Sequence, residues 1–115
     1  MNKFLVLYQA PAHVLDAWMK TPEEERKATE EKMKVDWQEW ATKHQEAVRE
    51  TAGAGKTIKI TKEGVSDARN DIMLYSIIEA ESYEDATKIL ANHPHLDIPE
   101  ASIEVMQANT LPGMM

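Results

Sequence analysis

The chain has 115 residues, a formal net charge of −7 and no cysteine. This length predicts one domain, spanning residues 1–115. The lack of cysteine excludes disulfides, thiolate catalysis and cysteine-ligated zinc. The acidity argues against a nucleic-acid partner, because phosphate binding needs a basic face. No apolar run approaches the roughly 18 residues of a membrane span, and the N-terminus lacks a signal-peptide pattern. We therefore expect a cytoplasmic protein.

The first half of the chain predicts a strand and two helices. Residues 3–8 form a run of apolar, β-forming residues. Both the odd and the even positions are apolar (apolar at both parities), as in a strand that is covered on both faces. A short helix is predicted over 11–20. The sequence Thr21-Pro22-Glu23-Glu24 has the form of a capping box and predicts the start of a long helix, with glycines after residue 52 to end it. The apolar stripe of this helix comprises Met33, Trp37, Trp40, Ala41, His44 and Val48.

The second half predicts three strands and one helix. Residues 56–61 alternate between isoleucine and polar side chains, which predicts a half-buried edge strand. A polar connector follows over 62–70, and 71–81 is apolar at both parities, like the first strand. Ser82 begins the helix of this half, which Pro94 ends. A last strand is predicted over 102–106.

This order of elements predicts a ferredoxin-like α+β fold of the βαββαβ type. Two interleaved right-handed crossovers give a four-stranded antiparallel sheet with both helices on one face. The first and third strands then lie in the middle, and these are the two that are apolar on both sides. The face without helices would expose an apolar patch. We therefore predict a homodimer that packs sheet to sheet through a symmetric contact.

Several segments of the chain carry a family resemblance: residues 64–67, 75–82, 93–94 and 102–105, together with Ala86. Over nearly its whole length the chain resembles the YCII-related proteins, in particular their DGPF-containing branch. The resemblance implies a ferredoxin-like fold, a dimeric α/β-barrel arrangement and, in enzymatic members, a His–Asp pair that works without a cofactor. Two positions differ from the family pattern. Residues 65–68 replace the Asp-Gly-Pro-Phe tetrapeptide, and Met106 stands where a basic residue is frequent.

The strongest candidate for chemistry is the sequence His93-Pro94-His95. Histidine titrates near neutrality, and Pro94 favours an extended His93. Both imidazoles are therefore candidates for a cleft, with His93 as acid or base and His95 in substrate binding. The alternative is that His93 caps the helix and that His95 is solvated. Asp71, at the start of a central strand, is the candidate partner that orients His93. Arg69 is a candidate to bind an anionic substrate, and the alternative for this loop is a local ion pair.

Three further residues are candidates for substrate binding. Tyr8 and His13 lie at or after the end of the first strand, where sites are frequent, although a core tyrosine and a surface loop fit equally. His44 lies on the apolar stripe of the long helix, and its alternative is a histidine at the edge of the core. His93 and His95 with His13 or Asp97 match no metal-binding signature, and there is no nucleotide-binding loop. We expect neither a metal nor a cofactor.

Two functions remain open from the sequence. The first is a cofactor-free lyase or isomerase acting on a small molecule, with His93 as acid or base and Asp71 as its partner. The second is a non-catalytic dimeric module that binds a small ligand or a regulatory protein. No residue pattern identifies the substrate.

Overall fold

The computed structural model describes residues 1–113, so the last two residues of the predicted domain lie outside the described part. In chain order the strands and helices are β1 (Asn2–Gln9), α1 (Ala12–Met19), α2 (Glu23–Lys43), β2 (Val48–Gly53), β3 (Thr57–Thr61), β4 (Gly64–Ala68), β5 (Ile72–Ala80), α3 (Tyr83–Leu90) and β6 (Ser102–Gln107). A 3-10 turn at Pro94–Asp97 joins α3 to β6. Within residues 1–113, no helix is both long and apolar enough to cross a membrane.

Four of the strands form one antiparallel sheet in the order β2-β5-β1-β6. The first predicted strand and the 71–81 strand are therefore central, as their apolar character on both faces indicated. Phe4 lies opposite Ile78, and Val6 lies opposite Ser76. This is the predicted α+β, ferredoxin-like fold.

The core lies between one face of the sheet and the helices. Because side chains alternate along a strand, Phe4, Val6 and Tyr8 all point to this face, and all three are 0% exposed. Ile78 on β5 and Leu90 on α3 also belong to it. Burying side chains of this size stabilises the fold by about 1.5–3 kcal/mol each.

The long helix is anchored mainly near its C-terminal end. Of its 21 residues, Trp40 is the one that is buried, with 8% of its surface exposed. The Trp40 indole Nε1–H donates to the carbonyl oxygen of Ile89 at 3.1 Å, which ties α2 to α3. The predicted N-cap at Thr21 is wrong, because Pro22 is the cap residue and the Thr21 hydroxyl donates to the carbonyl of Ala17. Thr21 therefore closes α1.

The second strand of the sheet lies where the sequence predicted the end of the long helix. The helix ends at Lys43, and β2 occupies residues 48–53. Backbone hydrogen bonds fix β2 beside β5: Glu79 N–H donates to Ala47 at 2.8 Å, and Ala54 N–H donates to Met73 at 2.9 Å. The helical stripe was extended wrongly because Trp40, His44 and Val48 follow one another at intervals of four residues.

The segment predicted as a half-buried strand of the main sheet instead belongs to a separate hairpin. Strand β3 pairs with β4, which lies inside the predicted polar connector. Ile58 and Ile60 are 56% and 77% exposed. Gly64 turns the chain with φ of 140°, a conformation that glycine adopts without strain. We call residues 57–68 the hairpin arm.

Candidate functional site

His93 lies in the core, enclosed by aromatic rings. Pro94 follows it, and His93 has the extended backbone that this predicts, with φ −63° and ψ 137°. Its side chain is 1% exposed. The ring centroid lies 4.8 Å from that of Tyr8, 4.2 Å from Trp37 and 4.4 Å from Trp40. We call these four residues the aromatic cluster.

The hydrogen bonds of His93 identify which ring nitrogen carries the proton. Nδ1 accepts from the backbone N–H of His95 at 2.9 Å, so its lone pair is occupied. Nε2 is buried with no hydrogen-bond partner among residues 1–113. Burial, reinforced by His95 and His44, lowers the pKa of His93 to about 4. The ring is therefore neutral at pH 7 with its proton on Nε2, where it offers a donor and no free acceptor.

His95 ties the turn after α3 to the end of β1. It is also 1% exposed, and its Nε2 lies 2.9 Å from the carbonyl oxygen of Gln9. Since a carbonyl only accepts, Nε2 is the donor. Burial lowers the pKa of His95, so it too favours the neutral form. His95 thus holds the end of β1 in place.

A chain of hydroxyl groups runs from the aromatic cluster to the edge of the sheet. The buried Tyr8 hydroxyl lies 2.9 Å from Ser76 Oγ, which lies 2.8 Å from Thr51 Oγ1 on β2. Burial raises the pKa of Tyr8, and the bond from Ser76 opposes that shift. Sequence reasoning missed Ser76 and Thr51. The available signal was a serine inside the otherwise apolar run of β5.

His44 borders the aromatic cluster. His44 directly follows the last residue of α2. Its ring centroid lies 5.0 Å from that of Trp40. Partial burial, with Lys43 nearby, lowers the pKa of His44. The structure therefore brings together four of the predicted site residues, namely Tyr8, His44, His93 and His95.

A second group of polar residues lies where β1 ends. His13 Nε2 is 2.7 Å from the Glu100 carboxylate, and the two side chains are 70% and 60% exposed. Glu100 has φ of 61°, in the left-handed region that a side chain disfavours. Backbone strain of this kind persists where the surrounding structure enforces it. Sequence reasoning did not single out Glu100, because nothing local reveals this conformation.

The expected pairing of His93 with Asp71 is not formed. His93 Nδ1 is occupied by His95, and the Asp71 side chain is exposed. Asp71 contributes its carbonyl oxygen, which accepts from Ala10 N–H at 2.9 Å at the end of β1. Arg69 forms an ion pair with Asp16 on α1 at 3.0 Å. Asp71, Arg69 and His13 thus lie outside the aromatic cluster.

The described residues contain no group of three histidine, aspartate or glutamate side chains placed to hold a metal ion. Two surface depressions lie away from the aromatic cluster. One, of about 400 Å³, runs beside α2. The other, of about 460 Å³, lies over Lys3, Glu50 and Ile77. Of the two indoles that pack on His93, Trp37 is the less buried.

No family model matches the chain, and no curated protein shows significant similarity to it. Seven chains of solved structures match. One is 5-chloro-2-hydroxyhydroquinone dehydrochlorinase (TftG) from Burkholderia phenoliruptrix AC1100, in complex with 2,5-dihydroxybenzoquinone. It aligns over 98% of this chain and 99% of its own, with a TM-score of 0.57 and 10% sequence identity. At this identity the likeness shows the fold alone.

Proposed function

We propose that the protein acts on a small organic molecule by proton transfer without a cofactor, in the manner of a lyase or isomerase. The observation that carries the proposal is the His13–Glu100 pair. A carboxylate that accepts Nε2–H leaves Nδ1 of His13 free as a proton acceptor. The pair is open to solvent, so a substrate can reach it.

His93 has a different role in this proposal. Removal of a proton next to a carbonyl creates negative charge on oxygen, which a fixed neutral donor stabilises. The Nε2–H of His93 is such a donor, and it has no acceptor among residues 1–113. His13 and His93 are both tied to the same end of β1, the latter through His95 and Gln9. We therefore assign proton abstraction to His13 and hydrogen-bond donation to His93.

Asp71 and Arg69 remain candidates for substrate contact at this end of the sheet. Asp71 exposes its carboxylate there. Arg69 can exchange its exposed ion pair with Asp16 for an anionic group at small cost, because exposed pairs contribute about 0–1 kcal/mol.

The experiment combines a binding probe with product analysis. 2,5-Dihydroxybenzoquinone, a compound with ionisable oxygens bound by the structural neighbour, and a panel of small hydroxylated carbonyl compounds are tested by thermal shift and by mass analysis of products. Wild-type protein is expected to bind and convert a compound, while His13→Gln and Glu100→Gln bind it but convert it at least 10-fold more slowly. Glu84→Gln, which breaks the exposed Lys88–Glu84 pair, is the matched control. Equal turnover by His13→Gln, or no bound compound, contradicts the proposal.

A non-catalytic binding module is the second candidate. The observation that favours it is the hydrogen bonding of His93, which leaves a buried donor for a ligand but no base within the aromatic cluster. This function predicts that a compound raises the melting temperature of the wild type but not of His93→Phe, and that no product forms.

Two further proposals accompany the function. We place the chain with the YCII-related proteins in a dimeric α/β-barrel arrangement, and we expect it in the cytoplasm. The βαββαβ order and the fold of the dehydrochlorinase support the placement. Two of the segments that resemble the family, residues 75–82 and 102–105, lie largely in β5 and β6, which also supports this placement.

We also propose a homodimer through the sheet face that carries no helix. We call this the open face, and its partly exposed apolar side chains include Leu5, Leu7, Tyr75 and Ile77. The Arg49–Glu79 ion pair borders it at 2.9 Å, like the polar rim of an interface. Leu7→Lys is expected to shift the protein to monomer in sedimentation velocity, whereas a monomeric wild type contradicts the dimer.

A further inference from the structure

The hairpin arm leaves an apolar surface in solvent. Ile60 lies opposite Val65, and Ile58 lies two residues from Ile60, so all three side chains share one face. They are 56% (Ile58), 77% (Ile60) and 70% (Val65) exposed. The contacts of β3 and β4 are almost all with each other.

Such an arm is not expected to be stable by itself. An isolated two-stranded hairpin is at best marginally stable in water, and it needs a third strand or another packed element. The local bonds of the arm are weak. Lys56 pairs with Asp67 at 3.3 Å in full solvent, and Asn70 bonds Thr57 at 3.2 Å at the base. Contact of another surface with the apolar face of the arm would provide the stabilisation that its own bonds do not.

The molecule is more extended than a compact domain of its length, as expected if part of its surface is covered in a dimer. The radius of gyration is 16.3 Å, whereas a compact domain of this length has about 13 Å. The extents are 52 × 44 × 19 Å, so the molecule is flat as well as extended.

The area of the open face indicates what the arm adds. The four strands have six to nine residues each, and at about 3.3 Å per residue and about 4.8 Å spacing they present roughly 460 Å². A stable interface takes about 800 Å² from each partner. The two five-residue strands of the arm contribute roughly 160 Å² more, which brings the total to roughly 620 Å², about three quarters of that requirement.

The charge of the hairpin arm does not oppose a second copy as the occupant. Residues 57–68 hold two lysines and two acidic residues, so the arm is neutral, whereas the whole chain carries −7. An arm laid on a second copy therefore adds no like-charge repulsion to the contact.

We propose that the hairpin arm is a dimerisation arm that lays Ile58, Ile60 and Val65 on a second copy of this chain and extends the contact of the open faces. The inference rests on the proposed homodimer. Twofold symmetry places each arm on the other copy, so every substitution acts twice per dimer.

The test is the dimer dissociation constant of the full chain by sedimentation equilibrium. Ile60→Lys/Val65→Lys is expected to weaken the dimer at least 10-fold. Ser66→Lys, on the opposite face of the same arm, and Val35→Lys, on α2 and 49% exposed, are expected to leave it unchanged. If the double variant dimerises with wild-type affinity, the proposed role of the arm is contradicted, but the sheet-to-sheet dimer is not. A monomeric wild type overturns both.

A second measurement guards against simple misfolding of the variant arm. In wild-type protein, hydrogen exchange at amides 57–68 is expected to slow as protein concentration rises through the dissociation constant. Exchange that does not depend on concentration, in a protein that dimerises, contradicts the proposal.

Discussion

The backbone N–H of His95 donates to Nδ1 of His93 at 2.9 Å, and this contact fixes the tautomer of a buried imidazole. The proton of the neutral ring must then lie on Nε2, and the ring itself packs on Trp37 and Trp40. His93 is therefore a donor held in an apolar surrounding. Several consequences for stability and dynamics can be measured without knowledge of a substrate.

Stability should fall on mild acidification. Burial holds the pKa of folded His93 at about 4, against 6.5 for the free side chain. The unfolded chain therefore takes up the proton first, so the stabilisation is complete above pH 6.5 and is lost as the pH falls towards 4. From pH 7 to pH 5 the loss is about 2 kcal/mol, measured by urea unfolding.

A matched variant isolates this effect. In His93→Asn the side-chain oxygen can still accept from the N–H two residues on, but it does not titrate. The loss between pH 7 and pH 5 should shrink by about 2 kcal/mol in this variant. An identical pH dependence for His93→Asn and the wild type contradicts the prediction.

Ser76 should stabilise the fold through the hydroxyl of Tyr8. Ser76→Ala leaves that buried hydroxyl without its 2.9 Å partner, which costs about 1–3 kcal/mol. Adding Tyr8→Phe removes the orphaned group, so the double variant should lose less than the sum of the single losses. Thr51→Val, at the exposed end of the hydroxyl chain, should cost less than Ser76→Ala. Additive losses in a double-mutant cycle would count against this coupling.

Much of the fold was predictable because hydrophobic burial leaves a clear period in the sequence. Strands β1 and β5 are apolar at both parities, and Ser82 is the N-cap of α3, accepting from Asp85 N–H at 3.2 Å. Strand β2 was missed because Val-Arg-Glu-Thr-Ala-Gly has no alternation and is held at a sheet edge by backbone bonds.

The candidate site was predictable in part for a similar reason. The residues of the aromatic cluster stand out by type and by their position on apolar stripes. The hydrogen-bond partner of His93 does not stand out in this way. It is the backbone N–H two residues further along the chain, and every residue type except proline has such a group. Glu100 reaches His13 across 87 positions of sequence from a left-handed backbone, which only tertiary contacts can enforce.

The backbone of Glu100 provides a test of strain at the site. Glu100→Gly and Glu100→Ala both remove the carboxylate, but only glycine relieves the φ of 61°. The glycine variant should be more stable than the alanine variant by about 1 kcal/mol, by thermal or urea unfolding. At Glu104, in β6, the order should reverse, because glycine weakens a strand. The same order of stability at both positions contradicts strain at Glu100.

Hydrogen exchange should divide α2 into two parts. Residues 37–43 adjoin the buried Trp40 and its bond to Ile89, whereas the earlier turns contain no fully buried side chain. Amides at 27–36 should therefore exchange faster than those at 40–43, because local opening there disrupts few contacts. Uniform protection along the helix is the contrary result.

The tautomer and charge of the buried His93 are measured most directly by a long-range ¹H–¹⁵N correlation spectrum of the histidine rings between pH 4 and pH 8. His93 is expected to show the Nε2–H tautomer and to stay neutral until the pH approaches 4. A Nδ1–H tautomer, or a charged His93 at pH 6, would contradict it.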